Sequence, residues 1–463
     1  MSSTTFIVDT VGFRVPCRSF HVRANVTRDR PLPVVDEFVL RLLRICGQLA
    51  LERTADFFGF TQVETERVVR DLVTKDLLVA EGNELRLSTA AAGLFRSSAD
   101  EEPRLVEVEP WIENVWIDLV SRGFVARPRQ RAFRNLVDVP PAAGAIDLPT
   151  EFARAAFEEN FRDYVTHVRR LREPERVSIH SIAGVESDRY GSIIVAGRKT
   201  MTLGDRGPKL ELEGAAEASR PQMRQMIQSL SSQYGLLQQP RAQATSLLDF
   251  ERLSGVQLRN FLGANQEFDL ERWHQERPRF QDGSCAWMVG APYIEANVEA
   301  LVGRLKTKKP SQLKPDIRWL RPGGTAWGMT ADLGTSLERL RQLVGLPDIP
   351  KASGTTLLMP KATSRLAHKS VGRLFESGEE APTRLGSGLE ILVVGQAVAI
   401  LLVHVVLDRR ETVPLGIIVD HAKLVMRLDA QLRGENLKVW AAKRDKGEST
   451  SISALQESES IEV

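Results

Sequence analysis

The chain has 463 residues, with 62 Lys and Arg against 60 Asp and Glu, a formal net charge of +2. That length suits several domains, and 42% hydrophobic residues supply real cores. Near neutrality excludes a global field that steers the molecule to nucleic acid or membrane, so binding must come from local patches.

The 3 cysteines, Cys17, Cys46 and Cys285, are too few and too scattered for a disulfide framework or a zinc site, and neither metal nor cofactor is expected. The opening MSSTTFIVDT lacks a basic stretch before an apolar run; a cytoplasmic protein of prokaryotic style is expected. Residues 1–33 alternate loosely and close at TRDRPLP, which predicts a β-rich segment of two or three short strands. From Val34 the period becomes helical and predicts a buried stripe of Phe38, Leu42, Ile45 and Leu49. LERTADFFG predicts a second short helix ended by Gly59. Thr61 is placed to cap a third helix, with Glu64 completing a capping box, and that helix is expected to bury Val63, Val68, Leu72 and Leu77. LLVAEGNELRLS predicts a hairpin turning at Gly82–Asn83.

Three helices followed by a two-stranded wing over residues 34–96 resemble the winged helix-turn-helix family. The resemblance rests on element order, lengths and the Gly59 turn, and implies a module that docks on DNA or on another protein. A helix entering the major groove sits against phosphates, so its first turn needs Lys, Arg or short polar residues. Residues 34–96 hold 8 Lys and Arg and 10 Asp and Glu (8 − 10 = −2), and Glu64 and Glu66 occupy that first turn. Charge therefore favours a protein partner, with Arg67, Arg70 and Lys75 left for phosphate contact.

After the polar SSADEEP, residues 105–172 read as a largely helical middle region, built on WIENVWIDLVSRGF and EFARAAFEENFRDYVTHVRRL. Between them Arg122, Arg127, Arg129, Arg131 and Arg134 interleave with Phe124 and Phe133, a pattern suited to backbone contact and base stacking. Residues 173–445 read as a mixed α/β domain. Its strands are predicted at RVSIHSIAGV, YGSIIVAGRKTMTL, DIRWL and TTLLMP, with three more between 389 and 420. Its helices are predicted near 214–236 and 244–263, at IEANVEALVGRL, at LGTSLERLRQLVG and at VDHAKLVMRLDAQLRG. A second basic segment at 304–321 offers Lys306, Lys308 and Lys309 as phosphate contacts. The apolar run at 389–408 carries Glu390, Gln396, His404 and Asp408, so buried strands rather than a membrane span are expected. Residues 446–463 are Ser- and Glu-rich and predict a disordered acidic tail.

No phosphate loop, Gly-x-Ser-x-Gly elbow or HExxH motif appears. HAKLVMRLD, with His421, Lys423 and Asp429, resembles the HxKxxxxD signature of phospholipase-D-type phosphodiesterases, in which histidine attacks phosphorus and lysine holds phosphate oxygens. The Lys-to-Asp gap holds 5 residues here and four in that family. Val425, Leu428 and Leu432 also predict a helix behind an Asp420 cap, and on a helix positions i and i+2 point about 200° apart. His368–Lys369, being adjacent, fits no better. The expectation is an α/β (α+β) multidomain chain: a winged helix preceded by short strands, a helical middle and a mixed α/β C-terminal domain. Its expected role is a non-enzymatic accessory or scaffold protein with a protein partner, nucleic acid as a further partner and no membrane. By analogy it resembles accessory subunits of multi-gene prokaryotic systems, including those acting against phage DNA. The alternatives are a phospholipase-D-like phosphodiesterase and a transcription regulator.

Overall fold

The computed structural model describes residues 4–95, 103–128, 135–213, 221–281, 283–346, 354–360, 371–381, 385–407, 411–434 and 436–441. The chain is a mixed α/β protein with several sheets and forms two compact units. One comprises Cys17–Pro128 and Ala142–Ser192; the other comprises Met1–Pro16, Arg129–Pro141 and Ile193–Val463.

The first strand, β1 (Thr5–Pro31), is one continuous element where two or three were expected. It runs on through Pro16, with Phe13 and Arg14 paired to β7 (Val137–Asp138) before it and the β5 pairing beginning at Cys17 after it. Within the Cys17–Pro128 unit, β1 pairs antiparallel with β5 (Arg104–Asp118), from Cys17↔Asp118 to Pro31↔Arg104. The middle region is thus corrected: WIENVWID is strand, and among the described residues helix returns at α5 (Thr150–Glu159), α6 (Phe161–Asp163) and a π-helical turn at Tyr164–Val168. Trp, Ile and Val favour a pleated surface, and from Trp111 to Val115 exposure alternates with period two, a pattern that a short helical reading also tolerates. Strand β8 (Val177–Thr202) likewise runs unbroken through two predicted strands. Gly191 permits this locally: a Cβ there would lie 2.8 Å from the Trp116 ring.

The module at residues 34–94 belongs to the same unit, and its elements follow the predicted order. It runs α1 (Val34–Cys46), β2 (Gln48–Ala50), α2 (Leu51–Phe58), α3 (Gln62–Thr74), β3 (Leu78–Glu81), β4 (Glu84–Leu87) and α4 (Thr89–Leu94). Gly59 closes α2 in the left-handed conformation, and the β3–β4 hairpin turns at Gly82 with Glu81 opposite Glu84. Val39, Leu40, Leu43, Leu72, Leu77, Leu78 and Leu85 form its core.

The other unit is built on a sheet ordered β10-β16-β15-β14-β11-β12-β13-β17 among the described residues. These strands are β10 (Cys285–Val289), β11 (Ile317–Leu320), β12 (Thr355–Met359), β13 (Ser377–Glu380), β14 (Leu389–Val394), β15 (Val398–Val406), β16 (Thr412–Val419) and β17 (Lys438–Ala441). The continuous apolar run at 389–406 is explained by burial on both faces. Ile391, Val393, Leu401 and Val403 pack with α8 (Ala244–Ser254) and with α12 (Ala422–Leu432), through Phe250, Leu253, Val425 and Leu428. Leu392, Val394, Ile400 and Leu402 pack with α10 (Glu295–Lys306) and α11 (Ala331–Leu343), through Leu301, Leu305, Leu333 and Leu337. Among the described residues no helix is long and apolar enough to cross a membrane.

Candidate docking surface and nucleic-acid interface

Helix α1 buries Val39, Leu40 and Leu43, so the predicted stripe is corrected: Phe38 is 51% and Ile45 83% exposed. At about 100° per residue, Val34, Phe38 and Ile45 share one line on the side away from Leu43, and the Arg41 guanidinium lies 5.9 Å from the Phe38 ring on that line. The helix is therefore apolar on two opposite faces, and among the described residues only one is covered. Val63 on α3 is corrected in the same way, at 76% exposed, while Leu72 and Leu77 are buried as predicted.

The first turn of α3 carries the capping box as predicted. Thr61 N and Oγ1 donate to Glu64 Oε2 at 2.9 and 2.8 Å, and Glu64 N donates back to Thr61 Oγ1 at 3.4 Å. The Thr61 bonds hold the Glu64 carboxyl below its ordinary range, so it stays anionic where a reading helix meets phosphate. Gln62 Nε2 donates to Glu66 Oε1 at 3.1 Å. Arg67 and Arg70 are exposed, and among the described residues neither forms an ion pair. Lys75, by contrast, is held 2.7 Å from Asp36.

The first arginine-rich segment is only partly available. Arg129, Arg131, Arg134 and Phe133 lie outside the described residues. Arg122 donates to the Ala143 carbonyl at 3.3 Å and Arg127 is exposed. Phe124 is not free to stack on a base, because its ring packs edge-on against Tyr164 at 5.3 Å, with Phe157 also in contact.

The second basic segment and the His421 motif converge. Asp420 receives Arg304 at 3.1 Å and Lys308 at 3.1 Å. That corrects its expected capping role: His421 is the N-cap of α12, without a side-chain cap bond, and Asp420 precedes it with two cations in reach. Lys306, Lys309 and Lys423 are exposed and enter no ion pair among the described residues; Lys306, two positions from Arg304 on α10, points to the other side of that helix, toward Glu299. His421 and Lys423 open a helix, as the stripe of buried Val425, Leu428 and Leu432 predicted, so the alternation a phosphohistidine site needs is absent. Asp429 is turned away from both, bonded by Gln396 at 2.9 Å and Arg433 at 2.7 Å. His368 and Lys369 lie outside the described residues, as does the tail.

A buried polar cluster escaped prediction. Glu390 is fully buried on β14; its Oε1 accepts from Trp319 Nε1 and Trp327 Nε1 at 2.9 Å each, and its Oε2 lies 2.8 Å from His404 Nε2. Arg321, equally buried, sits 4.9 Å from the Trp327 ring, and burial pushes its guanidinium down to about 10. Nearby, Tyr293 donates to Asp9 Oδ1 at 2.8 Å, and burial pushes the Asp9 carboxyl up to about 6. Two charged residues inside an otherwise apolar strand pair were the available signal, but their partners are remote in sequence. The Glu390 bonds fit a structural network, although Arg321 Nη1 is buried without a hydrogen-bond partner among the described residues.

No family model and no curated protein matches the chain. Among solved structures, Nuc from Salmonella typhimurium, a phospholipase D family member, aligns over 33% of this chain and 97% of its own, at 11% identity and a TM-score of 0.22. TrmBL2, an archaeal chromatin protein described as showing a novel mode of DNA binding, aligns over 87% of this chain and 91% of its own, at 8% identity and a TM-score of 0.19. Likenesses this weak carry no inference about fold or function.

Proposed function

We propose that this chain is a non-enzymatic accessory protein whose winged helix docks on another protein through the outer face of α1. The observation that carries the proposal is that face, where Val34, Phe38 and Ile45 stand exposed on a helix whose opposite side already fills the module's core. An anionic first turn on α3 opposes the usual groove-reading geometry. In a quantitative pull-down from the native host, the bound partner is expected to be lost on Phe38→Ser plus Ile45→Ser. It is expected to be retained on Arg67→Ala plus Arg70→Ala, and the opposite pattern would refute the docking face.

The convergence of the basic 304–309 segment with the start of α12 favours a second contact, with nucleic acid. Arg304 and Lys308 meet a single carboxylate, Asp420, and Lys306, Lys309 and Lys423 add exposed positive charge on the same two segments, which suits phosphate backbone and leaves base sequence unread. With duplex DNA, Lys306→Ala plus Lys309→Ala is expected to weaken binding across sequences and flatten its salt dependence by about two charges. An unchanged salt slope would exclude these lysines. Phosphodiester cleavage lost in His421→Ala would instead support the phosphodiesterase alternative, which the helical setting of His421 disfavours.

A further inference from the structure

We infer that the cleft lined by the start of β1, by α9 (Leu270–Glu276), by β10 and by the first turns of α10 and α11 binds a small aromatic anion carrying N–H donors, with a nucleoside monophosphate as its simplest representative. Its volume is about 820 Å³, within the range of small-molecule sites. All of its walls belong to the unit built on the large sheet.

One wall is aromatic. Trp273 and Trp287 meet edge-on at 5.2 Å, and Phe6 meets His274 at 5.8 Å. The Trp287 indole is fixed by its 2.7 Å bond to the Pro278 carbonyl, so the wall is set before a ligand arrives. Such surfaces accept planar rings with little ordering cost.

The charges in the cleft are incompletely matched. Arg277 lies 5.0 Å from the Trp273 ring and donates to the His274 carbonyl at 2.8 Å; it also contacts His274 Nδ1. No carboxylate among the described residues pairs with it, although burial already disfavours its charge. Arg198 lines the same cleft without an ion pair among the described residues, whereas Arg339 is engaged by Glu299 at 2.6 Å. A half-buried guanidinium beside aromatic rings, with no carboxylate partner among the described residues, is a fit for an anionic group on a ring system. Glu295 and Asp332 also line the cleft and form no salt bridge among the described residues, so they can accept the exocyclic amino groups of such a ring.

The test is independent of the docking face. The full chain is titrated separately with AMP, GMP, CMP and UMP while tryptophan fluorescence is followed, with adenosine and ribose 5-phosphate as ring-only and anion-only controls. Saturable quenching by at least one monophosphate below about 1 mM is expected, with both controls weaker. Arg277→Ala is expected to weaken that binding roughly tenfold or more, Arg277→Lys to restore part of it, and Glu295→Gln to shift the preference among bases. Arg198→Ala supplies a second reading should Arg277→Ala fail to fold. The inference is overturned if none of the four monophosphates saturates by about 1 mM, or if the folded arginine variants bind as tightly as the unaltered chain.

Discussion

Asp9 shows how a single buried group sets a pH dependence. Its carboxyl titrates at about 6 in the folded chain against an ordinary value of 3.8, chiefly through burial. Between those values the folded state holds a proton that the unfolded state has released, so stability falls as pH rises through the window and stays lowered above it. Asp9→Asn keeps an oxygen to accept the Tyr293 hydroxyl and removes the ionisation. Thermal melts are therefore expected to show the variant gaining stability at pH 7 to 8 and losing that gain by about pH 4. A gain of equal size at both pH values would contradict the assignment. Neither Asp9 nor Glu390 was legible as a site in the sequence: each bonds residues far away in the chain, Tyr293 for Asp9 and Trp319 and Trp327 for Glu390.

At the scale of elements, legibility followed the range of the forces involved. The capping box at Thr61, the Gly59 stop and the Gly82 turn are local, and all appear where predicted. The strand at 104–118 was misread as helix because a Trp- and Ile-rich run serves either period, and its long antiparallel pairing with β1 decides the outcome. Helix α1 failed more informatively. Its two apolar stripes compete for the core, and the sequence offers no means of ranking them. Leu40 lies in the winning stripe, so Leu40→Ala is expected to cost about 2–5 kcal/mol, whereas Phe38→Ser plus Ile45→Ser should change stability by less than about 1 kcal/mol. Denaturant melts compare the two directly, and equal losses would mean that the outer face is needed for folding rather than free for a partner.

On the scale of the whole molecule, near-zero net charge leaves function to local surfaces, and the structure resolves them into distinct places. The module at residues 34–94 presents an apolar outer face on α1 and an anionic entrance to α3. Arg304 and Lys308 of the 304–309 segment meet Asp420, just before α12. The convergence of these two segments was invisible in the sequence, since about 110 residues separate them and only the order of strands in the large sheet brings them together. The measurement that bears most directly on protein docking through α1 is hydrogen-exchange mass spectrometry of the full chain, alone, with its captured protein partner and with duplex DNA. The account predicts slowed exchange over Val34–Cys46 with the partner and unchanged exchange over Gln62–Thr74 with the duplex. Slowed exchange over Gln62–Thr74 with DNA, and none over Val34–Cys46 with the protein partner, would contradict it.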